Sequence, residues 1–460
     1  MLFNSQQFLL IFLPLTLLLY FAVANRETLR IWLLIAASAV FYAYWDIRFL
    51  PLLSASVVFN WFCSRLYESR PYRALIVVGL VVNLLIIGVF KYTDFIVANL
   101  AATAGVAFTP WNIILPLGIS FFTFQQISYL VDLKRGAAPA YPFHKYFLYV
   151  TFFPQLIAGP IVRHDELIGQ FGLDPFREGV YERLAKGFGL LVIGLFKKMI
   201  LADTVAETAS ALFNAAAAGG TLSLGAAWVA AAAYTLQIYY DFSGYSDMAI
   251  GLGSLFGLTI PVNFNAPYRA VSIGDFWRRW HITLSRFLRD YLYIPMGGNR
   301  HGMPRQVAAL MATMLLGGLW HGAGWTFVIW GGVHGLALVA NHLWEKSGLR
   351  LPRPVGWLAT LIFVMIAWVI FRADSMATAV AVMRSMVGGH GMSLDLPEVM
   401  PPLRLVFFAL PALIGPTSQR LVTHWFRPRP IYAVAVACAL FYLTLRAGDG
   451  NYSEFIYFQF

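Results

Sequence analysis

The chain has 460 residues, 59% hydrophobic and only 12% charged, with a formal net charge of +11. Soluble proteins carry about 25% charged residues, so an ordinary soluble domain is excluded, and a mean hydropathy of +0.67 points to a polytopic all-α membrane protein. The basic residues are scattered between apolar spans. That pattern argues against nucleic acid as a partner and fits loop charge that sets topology and meets membrane lipid.

The N-terminus lacks a basic n-region and a small-residue cleavage site, so the first span is expected to be retained. Gln7 to Ala24, Ile31 to Asp46, Phe49 to Ser64 and Ala74 to Phe90 each approach the ~20 apolar residues that cross a bilayer. Arg26 and Arg30 follow the first span, and Arg65, Arg70 and Arg73 the third; the turn between the second and third has only Arg48, beside Asp46. The positive-inside rule then places the N-terminus outside. Thr93 to Phe108 is less apolar and reads as lying along the interface. Trp111 to Val131 is a long apolar span; Gln125, Gln126, Ser128 and Asp132 need partners if buried, so it is expected to line the interior.

Tyr146 to Val162 is interrupted at Pro154, Gly159 and Pro160. It suits a kinked or re-entrant element, tolerable only when packed inside protein. Tyr181 to Leu201 is a span whose Lys197 and Lys198 read as snorkelling interface anchors. Trp228 to Leu258 is too long for one simple span and carries Gln237, Tyr239, Tyr240, Asp241, Ser243, Tyr245, Ser246 and Asp247. Two carboxylates there form either a capped helix end at the interface or the polar wall of a reaction chamber.

Asp275 to Tyr293 reads as one amphipathic helix near the membrane surface. Trp277, Trp280, Leu284, Phe287, Leu288 and Tyr291 share one face, Arg278, Arg279, Arg286 and Arg289 the other, and His281 sits at the edge. Spans at Gln306 to Trp320, Trp325 to Trp344, Val355 to Phe371, Leu405 to Ile414 and Ile431 to Leu445 complete about eleven or twelve crossings or re-entrant pieces. Met386 to Pro402 reads as a long loop, and the aromatic tail NYSEFIYFQF as docking at an interface. The whole is expected to be a single membrane domain, with N-terminal helices at 1–110, a core at 111–345 and C-terminal helices at 346–460.

Cys63 and Cys438 make no metal or disulfide pattern, and Walker A, HExxH, CxxC and GxSxG motifs are absent. No metal site and no bound cofactor are expected. The chemistry rests on histidine. The apolar run Met311 to Leu338 holds His321 within Trp320-His321-Gly322-Ala323-Gly324-Trp325. An ionisable group at membrane depth is a functional candidate by default, the other reading being a histidine hydrogen-bonded between packed helices. His281 is the second candidate. His334 also lies in an apolar span, with no polar or aromatic cluster near it in sequence, and reads as packing. A neutral imidazole can take a proton from a hydroxyl, as acyl transfer from a thioester to an alcohol requires. Trp320, Trp325 or the Gly322 amide could stabilise the developing oxyanion. No side chain stands out as a nucleophile, so direct transfer is the simpler mechanism. Tyr240, Asp241, Ser243, Gln155 and Arg279 are further candidates for substrate contact.

Seven stretches then carry a resemblance: LPLGISFFTFQQISYLVD (115–132), FFPQLIAGPIVR (152–163), GLFKKMILAD (194–203), YYDFSGYSDMAIGLG (239–253), FNAPYRAVSIGDFWRRWHITLSRFLRDYLYIPMGGNR (264–300), GGLWHGAGWTFVIWGGVHG (317–335) and WVIFRAD (368–374). In this order they resemble the membrane-bound O-acyltransferase family. The nearest branch is that of the alginate O-acetyltransferase, with the D-alanyl transfer protein of teichoic acid synthesis more distant. The resemblance implies a ring of helices around a central chamber in the bacterial inner membrane. It implies that His321 matches the family's active-site histidine and His281 the second histidine of this branch. It further implies an acyl group, usually acetyl, drawn from a cytoplasmic thioester such as acetyl-CoA for O-acetylation of an exopolysaccharide. A separate periplasmic partner of the SGNH-hydrolase-like type is expected, because no extramembrane domain is read in the sequence. Two other readings stay open: a transporter or flippase of a polysaccharide intermediate, and a non-catalytic scaffold of an export complex.

Overall fold

Long apolar runs leave the backbone no water to bond, so each must satisfy its own polar groups as helix. In the computed structural model, which describes residues 1–394, 402–424, 428–448 and 454–456, helices are the only regular elements among the described residues. The chain forms two compact units: Met1–Leu195 with Tyr245–Val262 and Leu421–Asn451, and Phe196–Gly244 with Asn263–Arg420 and Tyr452–Phe460.

The first unit begins with α1 (Leu13–Ala22), α2 (Glu27–Ala43), α3 (Leu50–Ser69), α4 (Arg73–Ile87) and α5 (Thr93–Ala104). A π-helical turn at Gly88–Tyr92 joins α4 to α5. The result is one rod of 32 residues, Arg73–Ala104, where the sequence suggested a span and a separate interfacial piece. The next helix, α6 (Ile119–Lys134), starts later than the expected Trp111. Pro110 and Pro116 disfavour helix before it, and Gly118 turns left-handed with φ +74. A Cβ on Gly118 would lie 2.6 Å from the Leu156 carbonyl oxygen, so only glycine permits this approach. Gln126 of α6 finds the partners its apolar setting requires: it donates to Ser56 Oγ at 2.9 Å and accepts from Tyr146 Oη at 3.4 Å.

The interrupted stretch becomes α7 (Phe143–Thr151), α8 (Phe153–Leu156) and non-helical backbone at 157–163, nearly all of it buried. Two of its carbonyls accept from side chains, with Tyr149 Oη donating to Val162 O at 3.1 Å and Gln155 Nε2 to Tyr149 O at 2.8 Å. The short α9 (His164–Leu167) and α10 (Val180–Phe196) follow.

The second unit starts with a π-helical turn, Lys197–Ala202, running into α11 (Asp203–Ala217). The region read as too long for one span is one continuous helix, α12 (Leu224–Leu255), and the boundary between units falls within it. The amphipathic stretch is two pieces, α13 (Ile273–Trp277) and α14 (Ile282–Leu288), because the intervening His281 has φ +42. Phe276, Trp280, Leu284, Phe287 and Leu288 are buried all the same. Then come α15 (Gly302–His321), α16 (Trp325–Lys346), α17 (Arg353–Arg372), α18 (Met376–Met386), α19 (Pro402–Leu413) and α20 (Ser418–His424). The last helix, α21 (Pro430–Gly448), returns to the first unit.

Among the described residues five helices are long and apolar enough to cross a membrane, or six if the bent pair Leu403–Leu413 and Ser418–His424 is one span. This is fewer than the eleven or twelve pieces expected. Helices such as α12 are long but carry polar residues, and α1 and α18 are short. Of the expected loop at Met386 to Pro402, residues 395–401 lie outside the described residues; so do 451–453 and 457–460 of the aromatic tail.

Candidate active site

The apolar run around His321 folds as a helical hairpin. Gly322 takes extended backbone (φ −164) immediately after His321, and α16 starts at Trp325. The two helices meet backbone to backbone through small residues: a Cβ on Gly331 would collide with the Met314 carbonyl oxygen, and one on Gly318 with the Phe327 carbonyl oxygen. The hairpin therefore fixes His321 as the last residue of α15, only 3% exposed. Its ring is packed edge-on among Trp320 (4.8 Å between centroids), Trp330 (5.3 Å) and Phe371 (5.4 Å).

His281 reaches the same place from the break between α13 and α14. A left-handed histidine is strained, and such strain concentrates at functional sites. Asn263 stabilises it. The Asn263 carbonyl accepts from Ile282 N at 2.9 Å. Its side-chain Oδ1 accepts from Thr283 N at 3.2 Å and Thr283 Oγ1 at 2.9 Å, and lies 3.1 Å from His281 Nδ1. The Thr283 amide can only donate, which sets the orientation of the Asn263 amide group. His281 Nδ1 therefore carries the proton, and Nε2 is the ring's basic nitrogen. His281 is fully buried and outside the membrane-spanning helices; burial pulls its imidazole down to about 3, so it is neutral. Its ring lies 4.7 Å from Phe242 and 6.5 Å from His321. The second unit thus brings the two histidines together.

The other candidates are placed differently. Trp320 flanks both histidine rings, at 4.8 Å from His321 and 6.1 Å from His281. Trp325, at the start of α16, is 55% exposed. Tyr240 is buried and donates to Phe408 O at 2.6 Å. Ser243 accepts from Lys197 Nζ at 3.3 Å. Arg279 is bonded back to Asp275 Oδ1 at 2.9 Å, one helical turn earlier. Gln155 belongs to the first unit.

Asp241 is committed to an ionic cluster. Lys198 Nζ lies 2.8 Å from Asp241 Oδ1 and 2.8 Å from Asp203 Oδ1. Asp241 Oδ2 accepts from Ile456 N at 3.0 Å, and Lys198 donates to Glu454 O at 3.2 Å. Lys198 is therefore no interface anchor: its side chain is wholly buried. The π-helical turn at Lys197–Ala202 brings residues five apart onto one line, so Lys198 and Asp203 meet. Charges this deep persist only when paired.

Two features were missed by sequence reasoning. Asn263 is one; its signal was an amide residue in an apolar stretch eighteen positions before His281. His334 is the other, and it does sit in an aromatic cluster. The role of Asn263 is testable. Asn263→Ala removes the acceptor that sets the His281 tautomer and is expected to lower acyl transfer about 10- to 100-fold. Acetyl content per unit of membrane-inserted protein measures this.

A family model described as the membrane-bound O-acyltransferase family matches residues 28–380. The chain is 42% identical over 431 residues to a peptidoglycan O-acetyltransferase of Helicobacter pylori, covering 86% of this chain and 81% of that protein. It is 43% identical over 390 residues to a probable alginate O-acetylase of Pseudomonas aeruginosa, covering 82% and 73%. A teichoic acid D-alanyltransferase of Streptococcus thermophilus is 27% identical over 284 residues, covering 55% and 68%.

Proposed function

Because this chain belongs to the membrane-bound O-acyltransferase family and is a membrane-embedded O-acyltransferase, we propose that it carries acetyl from a cytoplasmic thioester across the bacterial inner membrane to O-acetylate a polysaccharide. Acetyl-CoA is the proposed donor. The acceptor is an exopolysaccharide such as alginate or a wall polymer, reached through a periplasmic SGNH-hydrolase-like partner. The relatives named for alginate and peptidoglycan acetylation support acetyl as the group moved.

The observation that carries the reading is the pairing of two buried imidazoles 6.5 Å apart inside an aromatic wall. His321 is the general base. It takes the proton of the hydroxyl that receives the acetyl group in this site as that oxygen attacks the thioester carbonyl. The tetrahedral intermediate collapses, the carbon–sulfur bond breaks, and the proton passes to the leaving thiolate. His281 assists as a neutral ring whose Nε2 lone pair accepts a hydrogen bond, its Nδ1–H being held by Asn263. The surrounding rings keep water from the thioester. No serine, cysteine or threonine is required in this scheme.

The test is a strain lacking the protein, complemented with the native chain or with the His321→Ala, His281→Ala double variant. Polymer yield and polymer acetyl content are measured separately. Polymer of normal yield without acetyl, in both the deletion and the variant, is the expected result. Loss of the polymer itself in the deletion would favour a flippase. Full acetylation by the double variant would favour a scaffold.

A further inference from the structure

The proposed mechanism uses two histidines, yet a third is buried beside them. His334, on α16, is fully buried and carries a polar ring into an apolar interior, which is costly unless the ring bonds. It bonds at one nitrogen: the Trp277 indole Nε1 donates to His334 Nδ1 at 3.3 Å, while Nε2 is buried with no hydrogen-bond partner among the described residues. Nδ1 therefore holds the lone pair, Nε2 the proton, and the ring is neutral.

Four rings enclose it. Phe276 stacks at 6.1 Å and 18°, Trp277 meets it edge-on at 5.2 Å, Phe363 at 5.3 Å and Trp330 at 4.7 Å. Two of these lead directly to the site. Trp277 ends α13, the segment whose continuation is the strained turn at His281. Trp330 meets the His321 ring edge-on at 5.3 Å and 89°, and stacks with Trp368 at 5.6 Å and 19°. One imidazole thus holds the segment that presents His281 and the indole that walls His321. A phenylalanine would fill a similar volume but offers the Trp277 indole no acceptor. With the Trp330 ring in contact with both His334 and His321, His334 acts through its neighbours.

We propose that His334 is a positioning residue for acyl transfer, accepting the Trp277 indole hydrogen bond and bracing Trp330 so that His281 and His321 keep their spacing. This rests on the assignment of His321 as base, and the experiment separates the two. His334→Phe, His334→Asn, Trp277→Phe and the His334→Phe, Trp277→Phe double variant are made in the full chain. Each is matched for membrane level, and the thiol release from acetyl-CoA by membrane vesicles is followed alongside polymer acetyl content. His334→Phe and Trp277→Phe are each expected to lower kcat about 10- to 100-fold with KM for the thioester unchanged, since small misplacement of catalytic groups costs rates of this order. The double variant is expected to lose no more than either single change, because both break the same bond. His334→Asn, whose amide oxygen stands where Nδ1 stood, is expected to restore most of the rate. Native kcat in His334→Phe, losses that multiply in the double variant, or no recovery in His334→Asn would each overturn the proposal. If His334→Phe fails to reach the membrane, Trp277→Phe reads the same bond, and native kcat there overturns it too. A silent His321→Ala beside a fully active His334→Phe would reject only the positioning role; an active His321→Ala would reject the base assignment beneath it.

Discussion

His321→Ala is expected to lower acetyl transfer by about 10²- to 10⁴-fold, the usual range for a positioned general base, with the protein still present in the membrane. The ring it removes is enclosed by Trp320, Trp330 and Phe371, so alanine also leaves a cavity. His321→Gln fills more of that space and still cannot serve as a base of suitable pKa. Both variants should therefore be inactive, while only alanine should loosen the fold. The measurement is polymer acetyl content against immunodetected membrane protein. Native acetylation in either variant would remove His321 from the mechanism. An inactive alanine variant beside an active glutamine variant would assign His321 to packing.

The second large effect is on stability. Lys198→Met would leave the buried Asp241, and the partly exposed Asp203 beside it, without their cation. Removing one member of a buried ion pair costs about 3–5 kcal/mol because the remaining charge is uncompensated. The unfolding midpoint in detergent and the membrane level should both fall. Adding Asp241→Asn should recover part of the loss, since one of the two stranded carboxylates becomes neutral and its amide oxygen can still accept from Ile456 N. An unchanged midpoint for Lys198→Met would show that the cluster contributes nothing to folding. A double variant less stable than the single one would show that Asp241 matters apart from Lys198.

Much of this protein was legible in its sequence for one reason: an apolar bilayer demands that backbone polar groups be satisfied locally, so apolar runs must be helices. Composition and run length were enough for an all-helical membrane protein, and the seven stretches were enough for the family. The cost of burying an imidazole singled out His321 before any fold was known. The buried partners of Gln126 were likewise demanded by its apolar setting.

What the tertiary structure decided depends on contacts between residues distant in the chain. Asn263 and His281 meet only because the backbone turns left-handed at His281, and nothing in helical periodicity announces that turn. The periodicity of 275–293 suggested one helix, yet burial of the same apolar residues is achieved by two pieces and a break. Lys198 looked like an interface anchor because lysine stems commonly snorkel; a π-helical turn and two distant carboxylates made it a buried cation instead. His334 looked isolated because Phe276 and Trp277 of α13 lie more than fifty positions before it and Phe363 of α17 lies well after it, and Trp330 alone of the four rings shares its helix. Sequence alone therefore determined which segments leave water and which residue types are too costly to bury idly. Which of those residues face one another was decided by packing, where a glycine contact or a single left-handed residue redirects a whole side chain.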